Sequence, residues 1–358
     1  LILQGLGRDW AGSARVAQDL ARAVELLRAG ELVAMPTETV YGLAADAANP
    51  TAVAKIFAAK GRPADHPLIV HLPGAEAMER WARDIPDAAY RLAAAFWPGP
   101  LTLILKRQPQ VSDVVTGGQD TIGLRVPDHR LALALLRSFG ADDHGGLAAP
   151  SANRFGRISP TTAAHVREEL GEQVPLILDG GPCQLGIEST IVDLSAADGV
   201  PRILRPGAIR AEALAQVLGF TLAGAADGAA RTPVAPRVSG SLAAHYAPQT
   251  HLRLLAAAEL LAALQIELAA GCRCAVLART LMPPSSLPAG VIWQAAPAGP
   301  AAYAHELYAT LRQLDAQGCD RLLVEAPPAD ELWQAVADRL GRAACGSGQP
   351  GLPDSDAP

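Results

Sequence analysis

Leu32-Val33-Ala34-Met35 runs straight into Pro36-Thr37-Glu38-Thr39-Val40-Tyr41, and the break at Pro36 decides the fold class. An apolar run this short, closed by a proline, predicts a buried strand that ends in a polar loop. Upstream, Val16, Leu20, Ala23, Val24 and Leu27 recur at helical spacing between Ser13, placed to cap, and Gly30, placed to stop. That pattern predicts an amphipathic helix over 13–29. A helix feeding a buried strand is the unit of an α/β domain, and polar groups gathered at a strand end mark a site.

Outward from this unit the same grammar repeats. Helices are expected over 52–59, 88–96 and 161–170, and strands at 68–72, 101–105, 121–126, 146–149, 176–179, 189–194 and 202–204. This predicts a domain over 13–218 built on a twisted, mixed, open sheet with flanking helices. Residues 223–249 shift to Ala, Gly, Pro and Ser with scattered arginines, so 219–250 reads as a linker. Beyond it, helices over 256–270, 301–317 and 331–343 and strands at 274–277 and 321–325 predict a smaller Rossmann-like α/β domain over 251–345. The stretch 346–358 reads as a disordered tail. The chain opens at Leu1 rather than methionine, so a few residues are expected to precede it.

Half of the 358 residues are apolar and 18% are charged, which suits a globular chain of two domains. A net charge of -6 argues against a broad electrostatic grip on nucleic acid. Only Lys55, Lys60 and Lys106 are lysine. The five cysteines are odd in number and form no CxxC pair, so reduced thiols are expected and no zinc site is indicated. His305 and Cys319 stand alone and read as packed or solvated. No leader and no run of membrane-spanning length is visible, which points to a cytoplasmic protein.

Three constellations carry chemistry. Lys60-Gly61-Arg62-Pro63 follows a helix, with His66 and His71 around the next strand. Two cations flanking a glycine suit phosphate oxygens, although the tetrapeptide alone reads more readily as a solvated basic turn. Ala149-Pro150-Ser151-Ala152-Asn153, followed by Ser159-Pro160-Thr161, places neutral donors and acceptors after a strand, where they suit a nucleotide or a turn with a helix cap. Gly186-Ile187-Glu188-Ser189-Thr190, with Arg205-Pro206-Gly207 after the next strand, suits a small polar amino acid and a phosphate, or a plain hairpin. Walker, GxSxG, HExxH and GxGxxG patterns are missing. Catalysis would then come from holding reactants together and stabilising charge.

Pro36-Thr37-Glu38-Thr39-Val40-Tyr41-Gly42-Leu43, the Lys60 turn with Pro67-Leu68, Trp97-Pro98-Gly99-Pro100-Leu101-Thr102, Gly123-Leu124-Arg125-Val126-Pro127 and Pro150-Ser151-Ala152-Asn153 occur in one order. Together they closely resemble the YrdC-type threonylcarbamoyl-AMP synthases. Ser239-Gly240-Ser241 and His245-Tyr246-Ala247-Pro248 are similar to the linker motif of that family's longer, two-domain branch.

The resemblance implies an L-threonylcarbamoyladenylate synthase. Such an enzyme condenses L-threonine, bicarbonate or CO2, and ATP to threonylcarbamoyl-AMP and pyrophosphate, for a modified adenosine in tRNAs reading codons that begin with A. It implies that Thr39, His71 and Arg125 hold L-threonine, with Ser189, Thr190 and the backbone at Ala149 closing the pocket. Lys60, Arg62, His66, Thr121, Ser151, Asn153, Ser159 and Arg205 would line the ATP side, with Tyr246 over the nucleotide. Lys60 and Arg62 are the catalytic candidates. Mg²⁺ would ride on the ATP phosphates, with no metal ligand of the protein's own. The product would pass to the tRNA threonylcarbamoyltransferase complex, and direct tRNA contact would be secondary. The rival readings are an RNA-binding module without adenylating activity, which the acidic charge weakens, and the carbamoyl-adenylate chemistry of hydrogenase-maturation carbamoyltransferases, whose greater length and zinc-finger-like cysteines this chain lacks.

Overall fold

The structure, a computed structural model, describes residues 14–141, 145–222 and 235–347. Ser13, the linker stretch 223–234 and the tail 348–358 lie outside the described residues. Helix α1, Ala14–Arg28, buries Leu20, Ala23 and Leu27, the stripe its spacing predicts. It leads through Gly30 into β1, Val33–Met35. After Pro36 the chain turns tightly, because Thr37 Oγ1 donates to Val40 O at 2.6 Å. It then returns as β2, Gly42–Asp46, antiparallel to β1, where the sequence reading has no strand.

The remaining elements of this unit follow in order. They are α2 Pro50–Lys60, β3 Ile69–His71, α3 Met78–Trp81, β4 Ala82–Arg83, α4 Asp87–Phe96, β5 Leu101–Arg107, α5 Asp113–Thr116, β6 Thr121–Arg125, α6 Arg130–Phe139, β7 Leu147–Ala148, α7 Ala163–Leu170, β8 Leu176–Ile177, β9 Thr190–Asp193, β10 Arg202–Arg205 and α8 Ala211–Leu218. Among the described residues ten strands form one sheet, ordered β10-β9-β5-β6-β3-β7-β2-β1-β8, with β4 on β5. The pairs β5–β9, β3–β6 and β1–β8 are parallel and the others antiparallel, so the sheet is mixed.

Both faces of this sheet are covered, as alternation along its strands requires. Ala34, Leu43 and Val70 pack into one apolar cluster with Val53 and Ile56 of α2. Val33, Met35 and Ala44 pack into another with Leu27 of α1 and Leu131 and Leu135 of α6. Each such side chain contributes about 1.5–3 kcal/mol by leaving water.

The chain divides into two compact units. One comprises the residues up to Arg154 with Pro160–Ser241, and the other comprises Phe155–Ser159 with the residues from Leu242 onward. The stretch read as one linker therefore falls partly in each. The second unit is a four-stranded parallel sheet of β11 His251–Leu255, β12 Cys274–Ala278, β13 Val291–Ala295 and β14 Arg321–Glu325, ordered β11-β14-β12-β13. Its helices are α9 Ala257–Ala269, α10 Pro300–Asp315 and α11 Gln334–Gly346. Leu260 and Leu264 of α9 pack on Cys274, Val276 and Leu323.

Helix α11 begins three residues later than the periodicity suggests, because Asp330 caps a separate turn of 3₁₀ helix at Glu331–Trp333. Ser347, read as tail, is buried, and its Oγ accepts the Leu252 N–H at 2.8 Å. The five cysteines carry free thiols. Among the described residues no helix is long and apolar enough to cross a membrane.

Candidate functional site

Helix α2 ends because Gly61 takes φ +58°, a left-handed conformation that glycine adopts at little cost, and its N–H caps the last turn. Lys60, the last helical residue, consequently turns inward and is buried. Its Nζ donates to Ser151 O and Asn153 O, both at 2.5 Å, which fastens the basic turn to the polar loop after β7. Burial, then the nearby Arg62, hold its pKa well below 10.5.

Arg62 leaves the turn on the far side of Gly61, and its Nη2 donates to Pro67 O at 3.0 Å and Ser239 Oγ at 3.3 Å. Arg205 reaches the same serine from β10, with Nη1 donating to Ser239 O at 2.8 Å. Its Nη2 donates to Ser189 O and Ser189 Oγ at 3.0 and 3.1 Å. His66 is half-buried, and burial followed by Arg62 lowers its pKa, so its 3.9 Å approach to Asp65 is that of a largely neutral ring. Thr121 opens β6 beside a cavity of about 10 Å³ lined by Ile69, Ile104, Ile191 and Val238.

Sheet register places the residues expected to hold the amino acid. His71 of β3 lies opposite Arg125 of β6 and Leu147 of β7. Burial, then Arg125, push the His71 pKa down to about 3, which keeps the imidazole neutral, and its Nδ1 is buried without a hydrogen-bond partner. Arg125 Nε donates to Gly99 O at 3.3 Å, and Nη2 stands 2.6 Å from Glu38 Oε1. The charges are in contact, yet no N–H of the guanidinium is aimed at either carboxylate oxygen, so the pair is ionic without being a directed hydrogen bond.

The hydroxyl-bearing candidates are bonded among themselves or to the backbone. Thr39 Oγ1 lies 2.9 Å from Thr37 Oγ1, which also accepts the N–H groups of Thr39 and Val40 and stiffens the turn. Ser189 Oγ is 2.8 Å from Thr102 Oγ1. Thr190 is committed to the fold, since its Oγ1 donates to Ile209 O and accepts Ile209 N–H. Ala149 is buried, its N–H donating to Ile69 O at 3.0 Å. Gly207 passes so close to this strand that a Cβ there would stand 2.4 Å from Thr190 N, which explains the glycine after Arg205-Pro206.

The first unit thus holds Thr39, His71, Arg125, Ala149, Ser189 and Thr190 together with Lys60, Arg62, His66, Thr121, Ser151, Asn153 and Arg205. Ser159 and Tyr246 belong to the second unit. There the Tyr246 ring is buried, stacked on Tyr308 at 5.6 Å with the Arg339 guanidinium 5.3 Å from its centre. Glu38, Thr102 and Ser239 stand within the quoted motifs, but sequence reasoning assigned none of them a role. The signal for Glu38 is a carboxylate inside an otherwise apolar and hydroxyl-bearing strand end. Among the described residues no group of three or more His, Cys, Asp or Glu is placed to hold a metal ion.

The Sua5_yciO_yrdC family, described as "Telomere recombination", matches residues 25–207, and the Sua5_C family, described as "Threonylcarbamoyl-AMP synthase, C-terminal domain", matches residues 209–345. The chain is 36% identical to the threonylcarbamoyl-AMP synthase of Schizosaccharomyces pombe, over 91% of this chain and 88% of that one. It is 47% identical to that of Pyrococcus abyssi and 46% identical to that of Bacillus subtilis, over 55% and 66% of this chain. In these two matches the chain spans 56% and 66% of the relatives' own length. The crystal structure of P. abyssi Sua5 complexed with L-threonine superimposes with a TM-score of 0.79 at 36% identity, covering 91% of this chain and 94% of that one.

Proposed function

The chain belongs to the Sua5–YciO–YrdC family, with the Sua5 C-terminal domain following, and from that premise we propose that it is an L-threonylcarbamoyladenylate synthase acting in tRNA modification. The observation that carries this reading is the bond between two motifs. Lys60 Nζ ties the two-cation turn to the Ser151–Asn153 loop, in the unit that also holds the buried Arg125, His71 and Ser189. On this reading the cations serve the phosphates, and the hydroxyls and the guanidinium serve a small hydroxylated amino acid.

The threonine amine attacks CO2 derived from bicarbonate to give N-carboxythreonine, whose carboxylate displaces pyrophosphate from the α-phosphorus of ATP. No covalent enzyme intermediate is required. Arg125 pairs with the substrate carboxylate, while Thr39 and Ser189 face its hydroxyl. Lys60 and Arg62 stabilise charge gathering on the phosphates, each charge-assisted hydrogen bond contributing about 1.5–3 kcal/mol. Holding the reactants in line supplies up to about 7–11 kcal/mol more. Mg²⁺ belongs to this proposal as an ion carried on phosphate oxygens with retained waters. The cations, hydroxyls and amides here fit that mode better than a protein cage. Delivery of the product to the tRNA threonylcarbamoyltransferase complex and a cytoplasmic setting complete the reading.

The test is turnover of α-labelled ATP with Mg²⁺ and bicarbonate, with and without L-threonine, in the wild type and in Lys60→Ala and Arg62→Ala. Threonine-dependent pyrophosphate release lost in both variants supports the synthase. Folded wild-type protein with no turnover would sink it and bring RNA binding forward.

A further inference from the structure

Glu38 is a carboxylate that the fold buries without supplying it with hydrogen bonds. It is 3% exposed, neither oxygen accepts a directed donor, and its ion pair is the 2.6 Å contact with Arg125 Nη2. An ionised carboxylate offers about four lone-pair sites, and leaving them unfilled away from water is costly. The surrounding titratable groups do not fill them. Cys183, its thiol pushed up to about 12 by burial and then by Glu38, and His129, its pKa lowered chiefly by burial, both feel the Glu38 charge as neutral groups. His71, on the Arg125 side, is neutral as well, with Nδ1 unpartnered.

A buried carboxylate with open lone pairs beside a buried guanidinium is the complement of a zwitterionic α-amino acid. The guanidinium suits the substrate's carboxylate, which leaves its ammonium to be matched. We propose that Glu38 receives the α-ammonium of the amino-acid substrate and takes the proton that this nitrogen must lose before it attacks carbon dioxide. One N–H bond of the ammonium breaks and one O–H bond forms on Glu38. The electron pair stays on nitrogen, and a neutral amine and a neutral carboxyl replace two opposite charges. The assignment rests on the threonine-binding reading above. It makes Glu38 a catalytic residue that also sets specificity for an amine over a hydroxyl.

The rival role is that Glu38 only holds Arg125 in place. Calorimetric binding of L-threonine and of its α-hydroxy analogue, in which a hydroxyl replaces the amine, separates the two in the wild type, Glu38→Gln and Glu38→Asp. The expected result is a wild-type preference for threonine of about 10- to 100-fold, largely lost in Glu38→Gln and retained in Glu38→Asp. Equal weakening of both ligands in Glu38→Gln, with the preference intact, would overturn the assignment. Should Glu38→Gln fail to fold, the wild type and Glu38→Asp still decide: an analogue bound as tightly as threonine by the wild type, or a preference lost in Glu38→Asp, overturns it. Wild-type protein that binds no threonine sinks the synthase reading itself, which is a different outcome from a preserved preference.

Discussion

Arg62 Nη2 donates to Ser239 Oγ at 3.3 Å, across 177 residues of sequence. Ser239 Oγ in turn donates to Pro67 O at 2.9 Å, and Arg205 holds the Ser239 carbonyl. Val238 beside it is buried against Ile104 and Ile191. Two arginines proposed to grip phosphates therefore also clamp the segment 235–241. Ser239→Ala removes one anchor of about 0.5–1.5 kcal/mol. Trypsin cleavage after the exposed Arg237 should then accelerate roughly two- to tenfold, and the apparent KM for ATP should fall as competition for Arg62 is relieved. Unchanged cleavage would show that Val238 and the Arg237 contacts hold the segment alone.

Lys60 yields a pH signature with a definite sign. Its folded-state pKa lies well below 10.5, so below 10.5 the unfolded chain binds more protons at this group than the folded one. Its contribution therefore makes stability rise with pH up to 10.5. Lys60→Met removes that slope. The same change leaves the buried carbonyls of Ser151 and Asn153 without their donor, at a cost of about 2–4 kcal/mol. Denaturant midpoints of wild type and variant, followed from neutral pH upward, should converge toward the acid end of the range and separate toward the alkaline end. Parallel curves would mean that the folded protein leaves the Lys60 pKa at its ordinary value.

How far such features were legible depends on where a residue's partners lie. Helix α1 could be read because its stripe is local. Strand β2 could not, because Gly42-Leu43-Ala44-Ala45 holds no β-branched residue and owes its extension to pairing with β1 on one side and β7 on the other. Helix α6 and strands β11 and β13 escaped as well. The half-exposed Val291, Ile292 and Trp293 fit β13 as a sheet edge, since among the described strands it pairs with β12 alone. At the site the cations were visible as charges, but a lysine in a basic turn reads as solvated until Ser151 and Asn153 appear as its acceptors. The contact of Glu38 with Arg125 has no local signature, since β3, β7 and β2 stand between β6 and β1 in the sheet and the loop after β1 meets Arg125 through tertiary folding alone.

His71 predicts a loss of stability in acid. Its pKa of about 3 in the folded protein, against an ordinary 6.5, means that the unfolded chain binds the extra proton between those values. The stability that neutral His71 contributes is present above pH 6.5 and lost as pH falls toward 3. Each tenfold difference in proton affinity between the two states is worth about 1.4 kcal/mol, so the loss amounts to a few kcal/mol. In His71→Asn, the gap to wild type in urea midpoint should shift in the variant's favour as pH is lowered through this range. A gap independent of pH would contradict a buried neutral imidazole.

In the second unit Glu325, at the end of β14, gathers the turn after β12. It accepts the N–H groups of Arg279 and Thr280 at 2.7 and 2.8 Å and the Thr280 hydroxyl at 2.5 Å. Arg279 lies 3.9 Å from the carboxylate, with its guanidinium 5.1 Å from the centre of the Trp333 ring. Burial pushes the Glu325 carboxyl up, but the Thr280 hydroxyl and the backbone donors outweigh it and hold the pKa below 4.5. Its stabilisation is therefore present above 4.5 and lost as pH falls through the lowered value. Glu325→Ala strands these donors and should cost about 2–4 kcal/mol. Because two units need not unfold together, the measurement is amide hydrogen exchange at residues 279–281 in the full chain. Exchange there should quicken at least about tenfold while the amides of β3 and β6 keep their protection. Unaltered exchange at Arg279 and Thr280 would show that the turn holds its shape without the carboxylate.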